Sequence, residues 1–472
     1  MNIDTTITPA SLSPGVARLF SLAADKGRRL DGTWDATRGT PVFTVEGQYT
    51  ARGWTEWTQG FQYGWLILAG DVTGDDALLD LGRRRTVDRM LPHVTHIGVH
   101  DHGFNNLSTY GNLLRLMDEG RLAENAWERK TYENALAASG AVQAARWSGT
   151  PPQPQSKHAA HSPALGYVYS FNGPHSLFVD TMRTIRILGV AWQLGHVLMH
   201  ENDKKADLLK RAVLHALTTN HYVVFHGDSQ HTYDVRGRTA HEAVFNRNDG
   251  NFRCRSTQQG YSPFSTWTRG LAWALLGYAE QLEFLKSIDP ATFENACGVA
   301  SPAILDTFTA AARDTADHYI NDVTAADGVP YWDDGAPGLT QLGDWRGRPS
   351  DPYNDHEPVD SSAAAIAAQG LIRLGNFLGD TPDGRRYRAA GLTVAKALLD
   401  EPYLSTDPKH QGLLLHSVYH RPNNWDHVPP GRKIPCGESS MWGDYHLLEL
   451  ALLLHRTATS TAYPTFYLQR RS

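Results

Sequence analysis

The chain has 472 residues and a mass of 52.3 kDa, too long for one two-layer domain, which leaves two domains or one large closed architecture of helices or strands. Its 44 Lys and Arg against 50 Asp and Glu give a formal charge of −6 with a pI near 6.4, so no basic surface is available to neutralise a phosphate backbone and nucleic acid is not an expected partner. Hydrophobic residues at 41%, charged residues at 20% and aromatics at 10% exclude a disordered chain, a coiled coil and an acidic tail.

Helical apolar spacing runs in chain order over 14–26, 58–70, 75–91, 105–119, 121–139, 179–200, 203–220, 266–286, 301–323, 361–378, 385–399 and 441–456. Consecutive pairing of these twelve segments predicts six helical hairpins. Between them lie long stretches rich in Gly, Pro, Asn and aromatic residues, 147–174, 221–265, 325–358 and 402–438; loops of this length in a compact chain usually build a site. Sustained strand alternation is absent. The best strand candidates, 222–226 and 241–246, are expected to pair as a short hairpin inside one loop. The predicted fold is all-α, an (α/α)6 barrel whose inner helices bury both faces, spanning 1–472 as one catalytic domain with a flexible N-terminus (about 1–12) and a C-terminal tail (about 457–472). An open solenoid would need a fixed-period repeat, which the sequence lacks.

Three widely separated cysteines, Cys254, Cys297 and Cys436, form neither a disulfide framework nor a zinc knuckle and read as reduced thiols. No basic segment followed by an apolar stretch opens the chain, and apolar runs are only a few residues long. A cytoplasmic protein without signal peptide or membrane span is expected. His226, His231 and His241 share a loop, but no HExxH or ligand-spaced carboxylates accompany them, so no metal is assigned. GxGxxG, P-loop and GxSxG signatures are absent, which removes the common nucleotide and serine-hydrolase readings and leaves no cofactor to expect.

The candidate chemistry gathers at helix starts. His100-Asp101-His102-Gly103-Phe104 places a carboxyl between two histidines where a loop meets a helix, with Trp54, Trp57 and Phe61 earlier in the chain; Gly103 would let a ligand approach closely. Asp180, in Phe178-Val179-Asp180-Thr181-Met182-Arg183, opens an otherwise apolar helix. Either aspartate could simply cap its helix, or Asp180 could pair with Arg183. Gln258-Gln259-Gly260-Tyr261-Ser262 and Ser265-Thr266-Trp267-Thr268-Arg269-Gly270-Leu271-Ala272-Trp273 form the densest polar and aromatic cluster. There Arg269 could face a substrate carboxylate beside a stacking ring, or brace a neighbouring helix. Asp360 and Asp444 read as caps. Aromatic faces beside hydrogen-bonding groups are what a sugar ring requires.

Nine segments in order across roughly 57–445 resemble glycoside hydrolase family 88, the unsaturated glucuronyl hydrolases: Trp57-Thr58-Gln59-Gly60-Phe61, His100-Asp101-His102-Gly103-Phe104, Val179-Asp180-Thr181-Met182, His241-Glu242-Ala243-Val244, Gln259-Gly260-Tyr261-Ser262, the Ser265 to Leu275 run, Val329-Pro330-Tyr331-Trp332-Asp333, the Asp360 to Ile366 run and Trp442-Gly443-Asp444-Tyr445. The resemblance implies an (α/α)6 barrel and release of a 4,5-unsaturated uronic acid from oligosaccharides made by polysaccharide lyases. It further implies Asp180 as proton donor and water activator and Asp101 as its essential partner. His241 would stand near the reacting centre, with Trp57 and Trp273 as platforms and Gln259 and Arg269 as polar contacts; His100 and Trp267 are further candidates for substrate binding. The substrate would be an uronic-acid-containing di- or oligosaccharide, handled by a monomer or homodimer.

A second carboxylate beside the donor is expected to raise the donor's pKa by like-charge repulsion. Two departures from the family pattern stand out: Arg183-Thr184-Ile185-Arg186 follows the helix-start aspartate, which makes Arg183 and Arg186 further candidates for the substrate carboxylate, and the 227–240 stretch is long. Competing readings are an unsaturated rhamnogalacturonyl hydrolase and a non-catalytic or lyase-like sugar-binding barrel.

Overall fold

The computed structural model describes residues 1–53, 56–151 and 165–468. Trp54, much of the 147–174 loop and the end of the predicted tail lie outside the described residues. Helices dominate: α1 (Ser13–Thr33), α2 (Gln59–Thr73), α3 (Asp76–Arg89), α4 (Leu91–Val94), α5 (His102–Asn106), α6 (Asn112–Asp118), α7 (Ala126–Ala145), α8 (Thr181–Thr184), α9 (Arg186–Gln193), α10 (Leu208–Tyr222), α11 (Thr268–Lys286), α12 (Pro290–Cys297), α13 (Ser301–His318), α14 (Ser361–Leu378), α15 (Pro382–Leu398) and α16 (Met441–Ala458).

All twelve predicted helices have counterparts, but three are interrupted. The 105–119 segment becomes α5, a π-helical turn over Leu107–Gly111, and α6; π turns often mark functional sites. The 179–200 segment divides at Ile185 and stops at Gln193, followed by Gly195 at φ 76°, a left-handed position that favours glycine and ends the helix. The 301–323 segment finishes in a π turn over Tyr319–Val323. Helix α7 starts five residues later than its apolar pattern because Asn125 caps it, accepting from Trp127 N and Glu128 N at 3.1 Å each. The short α4 and α12 are absent from the sequence reading, although Asp289-Pro290 is a start signal: Asp289 Oδ2 accepts from Thr292 N at 2.9 Å.

The expected 222–226 with 241–246 hairpin does not form. Val224 and Thr239 make one isolated bridge, while Glu242–Phe245 pairs antiparallel with Phe252–Ser256 on one side and with Ser176–Phe178 on the other. Phe252–Ser256 is a local partner, reached across a turn at Asn248-Asp249-Gly250, while Ser176–Phe178 is remote in sequence and no local turn signal announces it. The first twelve residues, expected to be flexible, are anchored: Met1 N donates to Ile320 O at 2.7 Å, Asn2 N to Ala326 O at 2.8 Å and Asp4 N to Thr393 Oγ1 at 3.0 Å.

The neighbour relations of the helices return to their starting point. Helix α2 packs on α5 and the π turn, α5 on α8 and α9, α8 on α11, α11 on α14, α14 on α16, and α16 on α2. Outside this sequence of neighbours lie α1 and α3 against α2, α7 and α10 against α9, α13 against α11, and α15 against α14. Stretches of the inner helices are apolar or small around their whole circumference: Ala363 to Ala368 in α14 and Leu271 to Leu276 in α11 are buried without interruption. One hydrophobic cluster extends from Ile7 to Tyr467.

Arg183 and Arg186 do not face a ligand site. Both are buried, with Arg183 Nη1 3.1 Å from Glu280 Oε2, Arg183 Nη2 2.6 Å from Glu449 Oε2, and Arg186 Nη1 3.0 Å from Glu280 Oε1. Arg373 joins Glu283 at 2.9 Å and reaches Pro464 O at 2.9 Å, which draws the C-terminal segment onto the same cluster. Positive charges placed at two successive turns of an inner helix find compensating glutamates on α11 and α16. Substituting Glu449 by Leu leaves Arg183 with one carboxylate instead of two in a site closed to water, and we expect a loss of about 3–5 kcal/mol in urea unfolding, measured as a lower midpoint at unchanged slope.

Candidate active site

Asp101 and Asp180 precede α5 and α8, yet neither side chain caps its helix. Other aspartates of this protein behave differently. Asp360 Oδ1 accepts from Ser362 N at 3.1 Å and Ser362 Oγ at 2.5 Å, capping α14. Asp444 holds the 413–414 backbone through Leu413 N at 2.9 Å and Leu414 N at 2.7 Å, so it anchors a loop rather than its own helix. An uncapped carboxyl at a helix start keeps its lone pairs for something else. Asp101 and Asp180 are nevertheless buried, at 7% and 9% exposure.

His100 sits between them. Its Nε2 lies 3.3 Å from Asp180 Oδ1 and 3.8 Å from Asp101 Oδ1. Burial alone would strip the imidazole of its proton, but the two carboxylates outweigh it and hold the His100 pKa above its ordinary value. For Asp180 burial would favour the neutral acid; the charge and hydrogen bond of His100, with His241 adding, reverse this and leave the pKa below the usual carboxylate value. Asp101 goes the other way, because burial and the charge of Asp180 exceed the weaker pull of the more distant His100. The expected order, a proton on Asp180 held there by an ionised Asp101, is therefore inverted in the free protein. The cause is the hydrogen bond of His100, with His241 beside it, which Asp180 has and Asp101 lacks.

His241 also meets Asp180 electrostatically, while burial pushes its pKa down to about 4, so it is neutral. Its Nδ1 accepts from Gln258 N at 3.0 Å, which assigns the ring proton to Nε2. That Nε2 is buried and has no partner among the described residues. The ring is held by Phe178, at 4.4 Å between centroids, and by Trp267, edge-on at 4.9 Å. A buried donor without a partner among the described residues, beside the Asp180 carboxyl, is a contact that a bound molecule can complete.

The structure places the predicted aromatic residues in different roles. Trp57 is half-buried and stacks on Trp442 at 5.1 Å, leaving part of its ring at the surface. Trp267 and Trp273 are buried; Trp273 packs against Phe104 and His446, each at 4.9 Å, and forms wall rather than platform. The predicted contact of Arg269 with a substrate carboxylate is not what the geometry favours. Its guanidinium is spent on Asp360 Oδ2 at 3.0 Å, Gln259 Oε1 at 2.9 Å, Tyr419 O at 2.9 Å and Val418 O, and lies over the Trp267 and Trp442 rings. It ties the 257–267 and 416–426 loops to α14. Gln259 stays half-buried and is oriented by Arg269. Gly103 leaves no opening for a ligand either, since a Cβ there would meet Thr184 O at 2.1 Å; the glycine lets α5 touch α8 and so brings the two aspartates together.

Two further aromatics belong to the site. Phe178 lies edge-on to His100 at 5.7 Å. Phe171, 42% exposed, stacks over the same imidazole at 6.2 Å and stands at the edge of the site. Both fall in or beside the long 147–174 loop, whose aromatic content was the available signal. Because Arg269 braces two loops from a buried position, Arg269→Ala is expected to lower the thermal midpoint and kcat together, the midpoint by about 3–5 °C for a loss of about 3–5 kcal/mol. A raised KM with unchanged kcat and midpoint would show a substrate contact instead.

No family model matches the chain. It is 28% identical over 426 residues to an unsaturated glucuronyl hydrolase of Bacillus sp. (strain GL1), covering 88% of this chain and 90% of that one. It is also 28% identical over 425 residues to an unsaturated chondroitin disaccharide hydrolase of Streptococcus pyogenes serotype M1, covering 88% and 85%. Among solved structures, the unsaturated glucuronyl hydrolase of Bacillus sp. GL1 superposes with a TM-score of 0.66 at 23% identity, over 95% of this chain and 98% of that one, and one specific for heparin with 0.65 at 21% identity, over the same shares. The fold is theirs. Over nearly nine-tenths of its length the chain is a homologue of the unsaturated glucuronyl hydrolases, the family that its ordered sequence motifs resemble.

Proposed function

We propose that this protein is a glycoside hydrolase that releases 4,5-unsaturated glucuronic acid from the non-reducing end of lyase-generated oligosaccharides by adding water across the C4=C5 bond. The observation that carries the reading is the pair of buried, non-capping carboxyls of Asp101 and Asp180 about one histidine. The homology to named unsaturated glucuronyl and chondroitin disaccharide hydrolases supports the substrate class. The neighbour relations of the helices support an (α/α)6 barrel, read as one catalytic domain over 1–472. Three free thiols, together with described helices none of which is long and apolar enough to cross a membrane, support a cytoplasmic setting.

The reaction begins with a proton delivered by Asp180 to C4 of the vinyl ether, which leaves an oxocarbenium-like centre at C5. Water adds to C5 and gives its proton to the Asp180 carboxylate. The resulting C5 hemiketal opens at its bond to the ring oxygen, giving a C5 ketone and a C1 hemiacetal, which collapses to an aldehyde and releases the aglycone with its own oxygen. In the free protein Asp180 is ionised, so its proton must come from a neighbour, and His100 and Asp101 both hold protons more tightly than usual. An anionic ring entering beside Asp180 adds negative charge and drives the proton onto it. The three groups then titrate as a unit. Trp57 and Gln259 offer a ring face and an amide to the sugar, and His241 Nε2 offers its unpaired donor.

Asp180→Asn is expected to reduce kcat by at least about 10²–10⁴-fold, the range of general acid catalysis, with the thermal midpoint nearly unchanged. Loss of C=C absorbance from lyase-generated disaccharides reads the rate. Turnover in deuterium oxide should place deuterium at C4 of the product, heavy-oxygen water should leave the aglycone hydroxyl unlabelled, and a saturated glucuronide should resist cleavage. Deuterium absent from C4 would sink the mechanism.

Asp101→Asn should also lose most activity, and the residual kcat/KM should change its pH dependence in a defined sense. Removing an anion beside His100 makes the imidazolium easier to deprotonate, so the alkaline limb moves to lower pH. An alkaline limb at its original pH would leave Asp101 outside the proton-holding unit.

A further inference from the structure

The two catalytic segments approach one another across a third element. Helix α7 packs against both α5 and α9, closely enough that a Cβ at Gly140 would lie 2.4 Å from Ala191 Cβ. One turn beyond Gly140, the buried Gln143 Nε2 donates to His100 O at 2.8 Å and to Thr184 Oγ1 at 2.7 Å. A carbonyl oxygen can only accept, so the end of the amide that faces it is the nitrogen, and both of its hydrogens are used. Thr184 then passes its own hydroxyl hydrogen to Thr181 O at 3.2 Å, next to Asp180. The Gln143 Oε1 is left buried without a partner, a cost that simple packing would not select.

One turn earlier on the same face of α7 is Ser139. Burial pushes the pKa of His102 down to about 3, so its ring is neutral. Its Nε2 donates to His96 O at 3.0 Å, and its Nδ1 therefore accepts from Ser139 Oγ at 2.8 Å. Asn106 Nδ2 donates to Ser139 Oγ at 2.8 Å, which fixes the direction of the whole relay. His100 and His102, the residues on either side of Asp101, are thus both held by α7, and Gln143 alone also holds the segment that carries Asp180.

We propose that Gln143 is a positioning residue that sets the separation of Asp101 and Asp180, with Ser139 locking the other side of the Asp101 turn. The inference rests on the proposed function only in taking those aspartates as the reacting pair. It adds α7, an outer helix, to the machinery. A misplacement of about 1 Å costs on the order of 10²-fold in rate, so small losses of register at this contact should be visible in kcat.

The test is Gln143→Met, which keeps volume and removes both donors, compared with Thr184→Val, which removes one acceptor and keeps shape. In the full chain, Gln143→Met is expected to lower kcat about 10–100-fold with KM within about threefold, and to move the alkaline limb of kcat/KM. Thr184→Val should do the same more weakly, and the double variant should be no worse than Gln143→Met, because both changes break one bridge. The His100 titration, followed by imidazole NMR on either variant, should fall to lower pH as the carboxylates draw apart.

Unchanged kcat, pH profile and His100 titration in a folded variant would overturn the proposal and leave Gln143 a packing residue. If Gln143→Met does not fold, Thr184→Val decides by the same readouts. Should the wild-type chain prove inactive on every unsaturated disaccharide, the functional reading fails, while the His100 titration still decides whether Gln143 sets the spacing.

Discussion

The buried ionic cluster of Arg183 with Glu280 and Glu449 is the constraint on which the rest of this structure depends. Arg183 is one helical turn from Asp180, Glu280 lies on the helix that opens with Thr268 and Arg269, and Glu449 on the helix that opens with Met441 and Trp442. Three helices whose first residues line the site are thereby joined through their interiors. A buried ion pair is poor evidence for net stability, since desolvation cancels much of its attraction. Its value is directional, because charges that must meet admit one register of the helices and leave alternatives with an unpaired charge.

Above that cluster the site is organised by what its carboxyls do not do. Asp360 and Asp444 hold backbone amides, while Asp101 and Asp180 turn away from theirs toward His100. The imidazole stabilises the nearer carboxylate and leaves the farther one more basic, so the free site holds its proton away from the group proposed to deliver it. Such an arrangement couples proton delivery to the arrival of an anion. It also gives His100 a chemical role beyond lining the pocket.

Glycine and arginine illustrate how residue type alone misleads. Gly103 reads as space for a ligand, yet the space is taken by Thr184 O, and closeness of two helices is its contribution. Arg183, Arg186 and Arg269 read as anion receptors, yet each meets protein carboxylates or carbonyls in the interior. In a site built from helix starts, a guanidinium is as useful for joining loops as for holding substrate, because its fork satisfies several acceptors at once.

The helical character, the order of the long helices and the positions of Asp101 and Asp180 were legible in the amino-acid sequence. Apolar periodicity is a local property, and both aspartates sit in recognisable motifs at helix starts. Other features had no local signal. The pairing of Glu242–Phe245 with Ser176–Phe178, the compensation of Arg183 by Glu449, and the reach of Gln143 to His100 join residues tens to hundreds of positions apart. The inverted proton preference of the two carboxyls was likewise settled only in three dimensions, since it turns on which of them is hydrogen-bonded to one imidazole. Sequence by itself determined which segments become helices and which residues can carry charge and protons; the tertiary structure alone decided which charges are paired and which stay free, because electrostatic energy depends on separation and burial, and neither is written in the order of residues.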